Sequence, residues 1–331
     1  MKKKIMKIAL IAVVSIVLLV ICLLALVKVG ERLLFTSFYS NATTEFKTPG
    51  IADGFIQQGF DYVESEDVFL VSGYMKDGSS SRVYVVDRED EKVIGFTKLR
   101  NQTGGRNTTH AGGIAHSGDY VYVTSEDSGV QVFMLSDILG CDEAVCKGTV
   151  DVGVKPAFCY IHEGKMYTGT FYKADTDYNS DKYIMNTLNG DENTAIMTVH
   201  DVDPAKKESF GIDETTNIAY SIPSQVQGIC ITKDNKIVLS TSWGISKSKL
   251  YVYDFDKVNN DATSQIDFFG GKTTLYYIDS ESLVDTITAP PMAEEMVYLD
   301  GKIYIMNESA SAKYIFGKFT SGNYVHAYKF D

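Results

Sequence analysis

Two glutamates in succession, Glu294 and Glu295, stand where related stretches of the same chain carry Gln-Gly (Gln58-Gly59 and Gln227-Gly228). Adjacent carboxyls can act as acid and base or offer oxygen ligands to a divalent cation. With Asn307 they form a candidate Ca²⁺ set, and His110 is expected nearby. Gln58, Gln227, Lys155, Trp243, Glu308, Lys313 and Tyr314 fall at equivalent loop positions and complete a candidate ligand face, to which Gln57, Glu126 and Asp127 also belong. Trp243 is the only tryptophan; before Gly244 it suits a platform for a sugar or other ring, or a plug over a sheet. The plainer alternative for the whole set is polar side chains bonding loop backbone and water. Five histidines, none paired at ligand spacing, argue against zinc, and no G-x-S-x-G elbow is present.

A second candidate cation site is DTDYNSD, with Asp175, Asp177, Asn179 and Asp181 at alternate positions. Alternating oxygens suit Ca²⁺, but Ser180 replaces the turn glycine of an EF-hand loop and Asn186 stands where its bidentate Glu belongs. An acidic, solvated insertion is the alternative. Cys141 and Cys146 bracket CDEAVC and are spaced for a local disulfide outside the cytoplasm. Cys159 and Cys230 fall on expected core strands and read as buried thiols.

The elements that must position these residues are repeats. FDYVESEDVFLVSGY (60–74), GIAHSGDYVYVTSED (113–127), FCYIHEGKMYTGTFY (158–172), ICITKDNKIVLSTSW (229–243) and MVYLDGKIYIMNES (296–309) each read strand, tight turn, strand. Their turns carry the Gly, Asp and Asn that hairpins require. Such repetition predicts an all-β fold, a single β-propeller of five four-stranded blades over 50–331. Six blades follow instead if residues 245–290 hide a degenerate one. RVYVVD and KVIGFTKL read as third and fourth strands of the first blade, and LYYIDSESLVDTIT has the same hairpin grammar. NYVHAYKF (323–330) is a third strand with none after it, so Phe35–Thr48 is expected to supply the fourth and fasten the ring. Loops that lead into first strands and loops between second and third strands then share one face.

Lys2, Lys3, Lys4 and Lys7 precede an uncharged apolar run, Ile8–Val27, long enough to span a bilayer. Basic residues before the run predict a cytoplasmic segment 1–7, a signal anchor 8–27, a tether 28–49 and an extracytoplasmic remainder. A cleaved signal would have a shorter core and an A-x-A site. Residues 33–331 carry 25 basic and 42 acidic residues, a formal charge of −17. That excess argues against nucleic acid as a partner.

The run 275–319 resembles a family of bacterial secreted or membrane-anchored β-propellers of undetermined function. The carrying residues are Pro290, Pro291, Met292, Ala293 and Glu294, then Glu308, Ser309, Ala310, Lys313 and Tyr314; STSWGISKSKLYVYD is similar too, with Trp243 where that family more often has Tyr. A more distant similarity is to calcium-dependent lactonase and gluconolactonase propellers, which implies a divalent cation in the channel; Glu294 or Glu295 and Asn307 match, but no channel Asp does. The leading expectation is a membrane-anchored binding or scaffolding module for a cell-envelope protein or glycan. The runner-up is a metal-assisted hydrolase in which Glu294, Glu295 and Asn307 hold Ca²⁺.

Overall fold

The computed structural model describes residues 2–125, 129–176, 181–261, 263–314 and 316–330. Alternating Tyr, Val and Ile pleat into five sheets whose central strands bury both faces, Val68–Val71 and Ile237–Ser240 being covered throughout. Blade 1 consists of Phe55–Val63, Val68–Met75, Arg82–Asp87 and Lys92–Arg100, and blade 2 of Ile114–Ser117, Tyr120–Ser125, Gly129–Met134 and Gly148–Val150. Blade 3 has Phe158–His162, Lys165–Gly169, Ala195–Asp201 and Ile218–Ile222; blade 4 has Val226–Ile231, Lys236–Thr241, Ser248–Asp254 and Leu283–Ala289. Blade 5 combines Ala293–Leu299, Lys302–Asn307 and Tyr324–Lys329 with a strand from the far end of the chain, Ala42–Lys47.

The first strands of successive blades touch in turn, and that of blade 5 returns to blade 1, so the ring closes around them. The hairpins use left-handed residues as their short turns demand: Glu163 and Gly164 in blade 3, Asp300 and Gly301 in blade 5. Closure is a matter of backbone pairing. Ala42 lies opposite Tyr328, Thr43 opposite Ala327 and Thr44 opposite His326, which completes blade 5 as an antiparallel sheet.

Three expectations are corrected. LYYIDSESLVDTIT is not a hairpin: Gly271–Tyr277 pairs parallel to Ile218–Ile222 at the edge of blade 3, and only Leu283–Ala289 belongs to blade 4. Residues 245–290 therefore hold an edge cover for blade 3, with Ser264–Phe268 outside it, and no sixth blade. Cys141 and Cys146 are free thiols, because Glu143–Val145 between them is drawn out as an extended strand parallel to Lys98–Arg100 of blade 1. Short helices, Leu135–Gly140 and Phe255–Asn260, interrupt the otherwise β structure of the ring.

Lys2–Leu34 is one helix, and it is the single helix among the described residues long and apolar enough to cross a membrane. Side chains from Lys3 to Val29 are exposed, whereas Glu31 and Phe35 are buried against the propeller. After Phe35 a second short helix, Thr36–Asn41, lies over the outer strands of blades 4 and 5. Phe38 is fully buried there, stacked on Tyr328 at 5.6 Å between ring centroids. Residues 30–48 are thus docked onto the ring and do not hang as a loose tether. Replacing Phe38 by Ala should cost about 3 kcal/mol of stability, read as a lower melting temperature of the detergent-solubilised full chain, while Ser40→Ala should leave it unchanged.

Candidate functional site

At the ring axis stand Gly59, Gly113 and Gly228, just ahead of or within the first strands of blades 1, 2 and 4, and blade 5 places Glu295 there. Three of these positions have no side chain and one has a long one. The Glu295 side chain fills the axis, and its carboxyl accepts three backbone N–H groups from three blades. Phe60 (2.8 Å) and Ile114 (3.0 Å) donate to Oε2, and Cys159 (3.0 Å) donates to Oε1. The glycines make room for it: a Cβ on Gly113 would lie 2.5 Å from Oε1, and one on Gly228 would lie 2.6 Å from the Glu295 Cα. Burial pushes the Glu295 carboxyl well above its usual range, opposed by the three N–H donors. Its oxygens are committed to the fold, which removes Glu295 from the expected ligand face and from the expected Ca²⁺ set.

One residue earlier, the side chains turn the other way, into a cavity of about 220 Å³ over the axis. Its lining includes Gln58, His110, Gln227, Trp243, Glu294, Glu308, Lys313 and Tyr314, drawn together from four blades. Opposite directions for Glu294 and Glu295 are ordinary strand alternation, and a β-bulge lies at the same place: pairing with the second strand shifts between Ala293 and Met296, as it does at Gln57–Gly59 and Val226–Gly228.

A polar network organises one wall. Gln58 donates through Nε2 to the Gln57 carbonyl at 2.7 Å, which leaves its Oε1 to accept from His110 Nε2. His110 packs against Tyr74, with ring centroids 4.7 Å apart. Burial, aided by the Lys313 charge, lowers its pKa to about 4, so the ring is neutral at pH 7. Lys313 donates to the Tyr74 hydroxyl at 3.3 Å; burial works against its charge, but Tyr74 and Glu308 outweigh that and hold its pKa up. Burial raises Glu308 to about 7, although Lys313 and a hydrogen bond from Gln58 pull it down. Glu294 is pushed well above the carboxylate range by burial first and then by Glu308 and Glu295. At neutral pH the cavity therefore holds a half-ionised Glu308 and a cationic Lys313, with Glu294 biased towards its protonated form.

Other expected residues lie elsewhere. Lys155 is exposed outside the cavity. Asn307 sits behind the wall as a structural clip: its Nδ2 donates to the carbonyls of Pro290 (3.2 Å) and Pro291 (3.0 Å), and its own carbonyl accepts from Gln57 Nε2 at 2.7 Å. The set Glu294, Glu295 and Asn307 does not converge on a cation. Asp175 and Asp181 are exposed, and Asp177 and Asn179, like Glu126 and Asp127, lie outside the described residues. Among the described residues no three His, Cys, Asp or Glu side chains gather for a metal. Tyr74 and Phe171 contribute to the site without having been singled out, and Met292, named only within the Pro-Pro-Met run, lines the cavity as well. Tyr74 was findable, because it follows Gly73, paired with Gln57, as Glu308 follows Asn307, paired with Ala293.

No protein-family model matches the chain, and no curated protein matches it. Solved structures similar to it include hydrazine synthase of Kuenenia stuttgartiensis (15% identity, 79% of this chain and 57% of that one, TM-score 0.37). The PQQ-bound aldose sugar dehydrogenase of Streptomyces coelicolor is another (14% identity, 86% and 95% covered, TM-score 0.42). So is the exo-β-1,3-galactanase of Phanerochaete chrysosporium (10% identity, 87% and 64% covered, TM-score 0.45). These likenesses carry no argument about activity. The chain folds as a five-bladed β-propeller with one long apolar N-terminal helix.

Two outcomes follow from the axis and the cavity. Glu295→Gln keeps the shape but turns an NH₂ towards a backbone N–H, and should cost about 3 kcal/mol in chemical unfolding; Gly228→Ala should also destabilise. Glu308 binds its proton more tightly folded than unfolded. Its contribution is complete below about pH 4.5 and is lost as pH rises to about 7, which corresponds to about 3 kcal/mol over that window. Unfolding followed from pH 4 to 8 should show this decline, and Glu308→Gln should make it shallower, the remainder belonging to the raised carboxyls of Glu294 and Glu295.

Proposed function

We propose that the protein is a membrane-anchored extracytoplasmic propeller that binds a small hydroxyl-rich group, such as the end of a cell-envelope glycan, in the axial cavity. The observation that carries the reading is the composition of that cavity: amides of Gln58 and Gln227, carboxyls of Glu294 and Glu308, and the partly exposed indole of Trp243. Amides and carboxyls match hydroxyls as donors and acceptors, and an indole face stacks on the C–H face of a sugar. At about 220 Å³ the space is below the range of drug-sized pockets, about 300–1,000 Å³, and fits one sugar-sized unit. Lys2, Lys3, Lys4 and Lys7 before the apolar helix support an N-terminus in the cytoplasm.

Trp243 makes the test direct, since no other tryptophan contributes to emission. Titration with glucose, galactose, N-acetylglucosamine and its β-1,4 dimer should give a saturable emission change with at least one of them. Glu294→Gln and Gln227→Ala should weaken it by at least about tenfold, equivalent to about 1.4 kcal/mol. No saturable change with any probe would sink the reading.

A second reading rests on the two buried carboxyls of the cavity lining. Burial raises both, Glu308 to about 7 and Glu294 well above its usual range, which suits Glu308 to the base and Glu294 to the acid of a metal-free hydrolysis. Release of reducing sugar from the dimer, abolished by either Glu294→Gln or Glu308→Gln, would establish it.

A further inference from the structure

The long N-terminal helix meets the propeller on the face that carries the cavity mouth. Its C-terminal end touches Phe316–Phe319, in the blade 5 loop that also supplies Lys313 and Tyr314 to the cavity. Glu31, at that end, is buried and bonded to the Tyr39 hydroxyl, with the Ser321 backbone beside it. One residue beyond the helix, Phe35 lies under the ammonium of Lys247, 6.0 Å from its ring, in the blade 4 loop that supplies Trp243.

No flexible segment separates helix from ring. Phe35 N–H donates to the Glu31 carbonyl at 3.1 Å and Tyr39 N–H to the Phe35 carbonyl at 3.0 Å, so helical bonding runs through the junction. Distances then fix where the mouth must lie. Glu31 is four residues past Val27, about 6 Å along a helix at about 1.5 Å per residue. The headgroup layer on one side of a bilayer is about 5–7 Å thick. A loop packed on Glu31 is therefore at the headgroup surface whenever Ile8–Val27 fills the hydrocarbon.

The same face is apolar at its tips. Ile245 is 78% exposed, Phe319 44% and Trp243 39%, all in loops between second and third strands of blades 4 and 5. Lys247 and Lys318 flank them. Apolar tips beside lysines are what an interfacial contact with a bilayer uses.

We infer that the propeller sits mouth-down on the bilayer that holds its own helix. Loops 243–247 and 316–319 rest in the headgroup layer, and the axial cavity opens towards membrane-borne polar groups. The group bound in the cavity is then the headgroup of a lipid or lipid-linked saccharide. This rests on the anchored, ligand-binding reading above.

The full chain, reconstituted in phosphatidylcholine vesicles with dansyl-labelled phosphatidylethanolamine, provides the test. Energy transfer from Trp243 to the dansyl headgroups should be several-fold stronger than from a Trp243→Phe, Asp90→Trp variant. Asp90 is exposed in a blade 1 turn on the opposite face, about 20 Å away across six strand residues at about 3.3 Å each. Equal transfer from both positions, or stronger transfer from position 90, overturns the orientation. Flotation with the vesicles separates the two readings: a chain that floats but shows weak Trp243 transfer keeps its anchor and loses the mouth-down placement. A chain that does not float removes the anchor, and the placement with it.

Discussion

One carboxyl group holds the centre of this protein. Each first strand must bring its backbone to the axis, where N–H groups from different blades converge with too little space for water and no sheet partner. Buried donors of that kind are costly when left unmet. Glu295 meets three of them at once, from blades 1, 2 and 3, while its own backbone belongs to blade 5 and packs on Gly228 of blade 4. Every blade is touched by one side chain. Only one such chain fits, so Gly59, Gly113 and Gly228 face it without a side chain of their own.

The cavity is a by-product of that solution. Successive residues of a strand face opposite ways, so Glu294 points at open space while Glu295 points at the axis, and the pairing shifts beside them. The same alternation, again at a bulge, sets Gln58 apart from Gly59 and Gln227 from Gly228. The polar residues of the mouth thus stand over a floor that cannot move without disturbing three blades. Burial over that floor raises Glu308 and Glu294 and depresses His110, and together these leave Lys313 as the one full positive charge among the cavity-lining side chains described.

Much of this was legible in the chain itself. Repeated strand–turn–strand units, with period-2 alternation and turn residues at the same offset, define the blades, and connectivity alone assigns Gln58, His110, Gln227, Glu294 and Glu308 to one mouth. What resisted reading was whatever depends on a single step of register. Glu294 and Glu295 look alike in sequence; alternation gives them opposite fates, and only cross-strand pairing decides which of the two faces the axis. Asn307 resembles a ligand until its amide is seen clipping Pro290 and Pro291. Gly271–Tyr277 has the pattern of a hairpin strand, yet it pairs in parallel with a strand some fifty residues earlier, a choice made by blade 3's open edge and invisible locally. Trp243 and Phe319 show no pattern that distinguishes a plug from a protruding tip.

The pairing of Ala42–Lys47 with Tyr324–Lys329 also sets the order of events in making the molecule. Thr43 and the Ala327 carbonyl it bonds are 284 residues apart, so the outer strand of blade 5 is synthesised long before its partner. At about 5–20 residues per second, roughly 15–60 seconds separate them. Throughout that interval the early strand has an unpaired edge, the kind of surface that recruits wrong partners. Blades 1 to 4 can form as they emerge, but the ring stays an open crescent until Tyr324–Lys329 has been made. Its assembly therefore ends in a single long-range clasp.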